Sequence, residues 1–201
     1  AGVWLFGKRF LKQGVIVPNA IDAQAFRFDA DRRKQMRDEL QLLPEDFVVG
    51  HVGRFHTLKN HLLLIDIFCE VHKKEPHAKL LLVGQGPLET QCKARCRALN
   101  LLHAVQFLGQ RDDIADLMQA MDVFVFPSLF EGLGIALVEA QAAGLKCLAV
   151  KEAIPPSACL AGHLVDLVPR KSPPGIWADC ALRARSAPRA DTYELLCESG
   201  Y

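Results

Sequence analysis

Short runs of uninterrupted apolar residues alternate along this chain with longer stretches whose apolar positions recur every three or four residues. The short runs read as strands buried on both faces, and the longer stretches as amphipathic helices. The strand candidates are FVVGHVG (47–53), AKLLLVG (78–84), VQFLG (105–109), VFVFPS (123–128), KCLAV (146–150) and LVDLV (164–168). Helices are predicted over HLLLIDIFCEVHKK (61–74), LETQCKARCRAL (88–99), DIADLMQAM (113–121) and 135–143, the last closed by Gly144 as C-cap. Ahead of the first strand, VIVPNAIDAQAF (15–26) reads as a strand and a turn, and Asp29 or Asp31 as the N-cap of a helix in RRKQMRDEL. Beyond Lys171 the periodicity weakens among Pro173, Pro174 and Pro188, and helices are expected over 176–186 and 191–198.

Apolar strands separated by helices imply an α/β fold, a Rossmann-like parallel sheet with helices on both faces. Right-handed crossovers lead to the expectation that the helices alternate between the two layers by simple winding. In open sheets of this kind ligands bind outside the carboxyl ends of the strands. The residues that follow each strand are therefore where chemistry is to be sought.

Composition changes this picture little. Half of the 201 residues are hydrophobic and 23% are charged, which is ordinary for a soluble globular protein. A formal charge of +1 gives no argument for nucleic acid or an anionic membrane as a partner. No apolar run reaches the roughly 18 residues of a membrane-spanning helix, and AGVWLFGKRF lacks the layout of a signal peptide. Seven cysteines, an odd number, suggest reduced thiols in a cytoplasmic protein. Cys92 and Cys96 stand one helical turn apart with His103 following, but this spacing lacks the pairing of structural zinc sites, and buried thiols are the expected reading.

The strand ends carry the candidate chemistry. After the first strand comes GRFHTLKNH (53–61), where Gly53 permits close backbone approach and Arg54 and Lys59 flank a helix start near Asn60. Two cations beside a helix N-terminus suit a diphosphate, while two solvated basic residues are the plain alternative. GQGP (84–87) is half of a dinucleotide fingerprint, or equally a tight turn with Pro87 at a helix start. GQRDD (109–113) offers Asp112 or Asp113 as a cap. PSLFEGLG (127–134) places Glu131 in a loop, followed by Gly132 and Gly134, which free the N–H groups opening the 135–143 helix. Glu139 lies inside that apolar helix, where a carboxylate needs a partner unless it sits on an exposed edge. DAD (29–31) matches a metal-holding Asp-x-Asp but is expected to be a helix cap, and His51, inside the first strand, a satisfied core histidine.

In the order GRFHTLKNH, LLLVGQGP, FLGQRDDI and PSLFEGLGIALVEAQAAG, these segments resemble the nucleotide-sugar half of the retaining glycosyltransferases of family 4, which have the GT-B fold. The wording EAQAAGL is most similar to enzymes that assemble capsular or exopolysaccharide repeat units, and VIVPNAID resembles the hinge before this half. The resemblance implies that Glu139 binds the ribose hydroxyls, Glu131 the transferred sugar, and Arg54 and Lys59 the diphosphate. Gly53 and the backbone of Gly132, Leu133, Gly134 and Ile135 would complete the donor site, with Arg111 beside the base. Arg54, Lys59 and Glu131 are the catalytic candidates. Lys146 departs from the proline common in the family. The resemblance further implies residues 1–25 as a hinge with the end of a missing N-terminal domain, and 26–201 as the donor-binding domain. A nucleotide-sugar donor is the expected partner, with a glycan or lipid-linked acceptor reached through the missing domain, no nucleic acid, and no metal or other cofactor. The full-length enzyme would be cytoplasmic, with peripheral membrane association open to it, and the isolated chain would be inactive. A dinucleotide oxidoreductase would need glycines after the first strand, where GRFHTLKN stands instead. A non-catalytic nucleotide-sugar sensor or scaffold would carry the same binding residues.

Overall fold

The computed structural model describes residues 19–200, so the first four residues of the strand and turn expected over 15–26, and most of the expected hinge, lie outside the described residues. Six strands, β1 (Phe47–Val52), β2 (Ala78–Val83), β3 (Val105–Gly109), β4 (Val123–Phe126), β5 (Lys146–Val150) and β6 (Val165–Val168), form one sheet. Their order is β3-β2-β1-β4-β5-β6 and every pairing is parallel. The α/β fold class read from the apolar runs is borne out, and each run matches a strand to within two residues.

Among the described residues eight α-helices cover the two faces: α1 (Ala23–Phe26), α2 (Ala30–Glu39), α3 (His61–Lys74), α4 (Glu89–Ala98), α5 (Ile114–Ala120), α6 (Ile135–Ala142), α7 (Pro174–Arg183) and α8 (Tyr193–Glu198). One apolar core joins Val49, Leu80 and Val125 to Leu64 and Phe68 of α3, Cys92 and Cys96 of α4, and Trp177 of α7. The other joins Val48, Leu81 and Phe124 to Phe26 of α1, Met36 of α2, Leu117 of α5, Val138 of α6 and Leu196 of α8. The layers therefore do not alternate helix by helix, as simple winding suggested. Successive right-handed crossovers that travel the same way across a sheet put their helices on the same face. β1, β2 and β3 run towards one edge, so α3 and α4 share a face; the direction reverses at β4, and α5 and α6 fall on the other.

Local chemistry accounts for the ends of these elements. Asp29 caps α2, its Oδ1 accepting from the N–H groups of Asp31 (2.8 Å) and Arg32 (2.9 Å), so DAD is a helix start as expected. Asp113 stands at the N-cap position of α5 but makes no capping bond, because its carboxylate is taken by Arg111. Residues 23–26, expected as a turn, form the short helix α1, held by Asp22 Oδ1 on the Ala25 N–H at 3.1 Å. Gly144 follows α6 with φ 67°, and a Cβ there would stand 2.1 Å from the Ala190 carbonyl oxygen.

All seven cysteines are free thiols, with Cys92, Cys96 and Cys147 buried. Burial pushes the thiols of Cys92 and Cys96 up to about 11, which keeps both protonated near neutral pH. Among the described residues no group of three or more His, Cys, Asp or Glu side chains is placed to hold a metal. No helix among them is long and apolar enough to cross a membrane.

Candidate functional site

The sheet order reverses between β1 and β4, and the carboxyl ends on either side of that reversal carry the predicted residues. Beyond β1 the chain passes through Gly53, Arg54 and Phe55 into a single 3-10 turn, Thr57–Lys59. Asn60 then takes a left-handed conformation (φ 55°) and α3 begins without a side-chain cap. Beyond β4 the loop 127–134 ends in Gly134 (φ 76°), and α6 also begins without a side-chain cap. Two helix N-termini thus leave first-turn N–H groups free of intrahelical partners at this edge of the sheet.

Lys59 and Glu131, separated by 72 positions, meet there: Lys59 Nζ donates to Glu131 Oε1 at 2.7 Å. The Glu131 side chain retains 9% of its exposure and that of Lys59 25%, so the pair is largely withdrawn from water. Phe126 closes the far side of the ammonium, which lies 4.9 Å from its ring centroid. The Glu131 backbone is anchored as well, its N–H donating to the Ala153 carbonyl at 3.2 Å, and Leu129 N–H donates to Leu58 O at 2.8 Å across the two loops. Arg170, which no sequence signal indicated, braces the same loop through Leu129 O at 2.9 Å.

A cleft of about 680 Å³ runs beside this pair, lined by Gly53, Arg54, Gly84, Gln85, Gly86, Pro87, Gln110, Arg111 and Ile114. Gln85 and Gln110 were not singled out from the sequence, since a lone glutamine after a strand carries no motif. GQGP is explained by contact: a Cβ on Gly84, at φ 132°, would lie 2.2 Å from Gly53 O, and one on Gly86 2.4 Å from Phe55 O. These glycines let the β2 loop lie against the β1 loop and form the cleft wall. Gly84→Ala is expected to lower stability by about 2 kcal/mol or more, since both the left-handed φ and the backbone clash act against it. Thermal denaturation of the variant checks this; an unchanged midpoint would mean that the two loops separate at no cost.

Arg54 is exposed on the cleft wall. Arg111 also faces the cleft, but its guanidinium is held by Asp113 (Nε to Oδ1, 2.7 Å) and by Glu39 (Nη2 to Oε1, 3.0 Å). That pairing raises the Arg111 pKa and holds the Asp113 carboxyl below its ordinary range. Glu139 is half-buried, and burial alone raises its pKa, with no cation or hydrogen-bond donor among the described residues acting on it. Gly132 is exposed, and a Cβ there would meet nothing within 4 Å, so packing within the chain does not require a glycine. Leu133 lies half-buried between the two glycines, and Ile135 opens α6 with 41% exposure. His51 is a core histidine only half satisfied: Nδ1 bonds Val125 O at 2.8 Å, while Nε2 is buried without a partner.

The arrangement offers an anion a half-buried ammonium and two uncapped helix starts, with carboxylates at 131 and 139 for hydroxyl groups and an amide-lined cleft alongside. Residues 32–165 match the family model described as glycosyl transferases group 1. The Bacillus subtilis (strain 168) protein EpsF, whose name assigns it to the glycosyltransferases, is 34% identical over 206 positions, covering all of this chain and 53% of that protein. The Escherichia coli UDP-Gal:alpha-D-GlcNAc-diphosphoundecaprenol alpha-1,3-galactosyltransferase is 32% identical over 136 positions, 66% of this chain and 35% of its own. In three dimensions the chain superposes on Anabaena Alr3699/HepE, solved with UDP and glucose, with a TM-score of 0.72 at 23% identity, over 94% of this chain and 53% of that one. The chain thus spans about half the length, or less, of these relatives.

Proposed function

Because this chain belongs to the group 1 glycosyl transferases, whose GT-B fold it shares, we propose that its strand ends hold the nucleotide-sugar donor of a retaining family 4 enzyme. The observation that carries the reading is the Lys59–Glu131 pair at 2.7 Å between two uncapped helix starts. In this reading the diphosphate lies against Arg54, Lys59 and the start of α6, where charge and backbone donors are already in place. Glu139, half-buried without a cation, accepts from the ribose hydroxyls. Glu131 accepts from the transferred sugar, and the base enters the cleft beside Arg111. Gly132, which the chain's own packing leaves open, admits the ligand close to the backbone together with Gly53, Leu133, Gly134 and Ile135.

Transfer breaks the bond between the anomeric carbon and the diphosphate oxygen, and that oxygen keeps the electron pair. The acceptor hydroxyl forms the new bond on the same face and passes its proton to the departing diphosphate oxygen. Arg54, Lys59 and the helix start stabilise the charge that grows on the departing diphosphate, each charged hydrogen bond contributing about 1.5–3 kcal/mol. No divalent metal is needed in this scheme. The acceptor, a glycan or lipid-linked sugar in surface polysaccharide synthesis on the cytoplasmic side, would be held by a further domain of the full-length enzyme. The E. coli relative, named for a diphosphoundecaprenol substrate, and the coverage of half of EpsF support that division. The relatives bear transferase names, so nothing favours a sensor or scaffold over an enzyme.

Titration of the chain with UDP, GDP and ADP in EDTA, repeated with Mg²⁺ or Mn²⁺, tests the reading. UDP is expected to bind weakly and equally well without metal, and the isolated chain to transfer no sugar. Binding seen only with metal would refute the metal-free diphosphate site, and vigorous transfer by the chain alone would refute its being a donor half.

A further inference from the structure

Among the described residues, four of the five buried side-chain nitrogen and oxygen atoms without a hydrogen-bond partner gather at this edge of the sheet. They are His51 Nε2, both ring nitrogens of His61 and Ser128 Oγ; the fifth is Trp177 Nε1. Buried polar groups are nearly always paired, so such a concentration calls for a cause. His51 Nδ1 must carry the proton it donates to Val125 O, which leaves Nε2 of the neutral ring a bare acceptor. That nitrogen lies 3.0 Å from where a Cβ on Gly53 would stand, and Lys59 Cδ 3.4 Å from the same point. The His61 ring stacks on Phe55 (4.2 Å between centroids, 17° between planes) and meets His51 edge-on at 4.8 Å. One of its nitrogens faces the Gly53 backbone without reaching hydrogen-bond geometry. The two imidazoles therefore form the layer directly beneath the Gly53–Lys59 segment.

Apolar rings of the same shape would fill this space at less cost, since His61 recovers none of the hydration it gives up and His51 only the part that Val125 O returns. We propose that His51 and His61 are positioning residues for the diphosphate, a polar floor that sets the Gly53–Lys59 segment for an anion at the expense of stability. The inference rests on the donor-site reading of the same loop. Burial, then the neighbouring His61 ring, with Lys59 also contributing, pushes His51 down to about 3, and burial with Lys59 pushes His61 to about 4, so both rings are neutral near pH 7. The pair acts through placement and not through charge. A ring nitrogen that faces the Gly53 backbone supports the segment from below, and it is this polar edge that an apolar replacement would remove.

The test compares the parent chain with His61→Phe and His61→Gln by thermal denaturation and by calorimetric titration with UDP and with uridine. His61→Phe is expected to melt at the parent's temperature or higher, to bind uridine as the parent does, and to bind UDP about fivefold more weakly, the scale of one oriented hydrogen bond. His61→Gln, which keeps polar donors and acceptors, is expected to recover UDP affinity without any gain in melting temperature. The proposal is overturned if His61→Phe melts lower or fails to fold, loses UDP and uridine alike, or binds UDP as tightly as the parent. A parent chain that does not bind UDP at all would overturn the donor-site reading itself, and this inference with it.

Discussion

Lys59→Ala is expected to weaken UDP binding on the order of 10- to 100-fold, and Glu131→Gln placed on top of it to restore part of the loss. Two effects combine in the single variant. The diphosphate loses one or two charged hydrogen bonds, each about 1.5–3 kcal/mol. Glu131, with 9% of its side chain exposed, loses the ammonium at 2.7 Å that neutralised it and becomes a bare carboxylate beside an anion. Removing that charge in the double variant relieves the repulsion. Glu131→Gln alone should change UDP affinity little, because UDP lacks the transferred sugar. The four affinities make a double-mutant cycle. Additive losses would show that Glu131 lies outside the field of the diphosphate, and its role at the transferred sugar would fall with that result.

Glu139→Gln is expected to weaken nucleotide binding about 10-fold or more while making the chain more stable at neutral pH. The affinity loss follows from removing a charged acceptor for two ribose hydroxyls. The stability gain follows from linkage. The folded pKa of Glu139 lies above its unfolded value because burial penalises the charged form. Between those two values the native state binds more protons than the unfolded chain, so stability falls as pH rises through that window and the penalty persists above it. Glutamine carries no such penalty. Its advantage over the parent should therefore be present at pH 7 and vanish below the ordinary carboxylate range near pH 4. Thermal denaturation from pH 3.5 to 7.5 checks the stability half, and UDP titration the binding half. A variant less stable than the parent at neutral pH would mean that a counter-charge satisfies Glu139 in solution.

The sequence was most legible where burial is one-dimensional. α3 and β5 match their predicted spans residue for residue, because an apolar run between turn signals leaves little freedom. α1 was misread as a turn, since four residues carry too little periodicity to declare a helix. The alternation of layers failed for a topological reason, because the point where winding reverses is set by strand order, and strand order is not written locally. The candidate residues were visible as residue types at strand ends, but their partnerships were not. Nothing near Lys59 indicates Glu131, and nothing near Arg111 indicates Glu39, 72 positions away in each case. His51 reads from the sequence as a satisfied core histidine and His61 matches no ligand motif; only burial without partners sets them apart.

The join between β1 and β4 has a consequence for how the molecule holds together. β1 and β2 pair along six residues, but β1 and β4 pair at only two, Val49 with Val123 and Gly50 with Phe124. Val49 and Val123 lie far apart in sequence, but β2 and β3 lie between them and β4 follows β3 through the short crossover that holds α5. The backbone ladder is thinnest between β1 and β4, and the two apolar cores that run across it carry much of the join. Lys59 stands on the β1 side of that join and Glu131 on the β4 side, and their contact spans it. A diphosphate gripped from both sides would act as a rivet, so that occupancy is coupled to the cohesion of the fold.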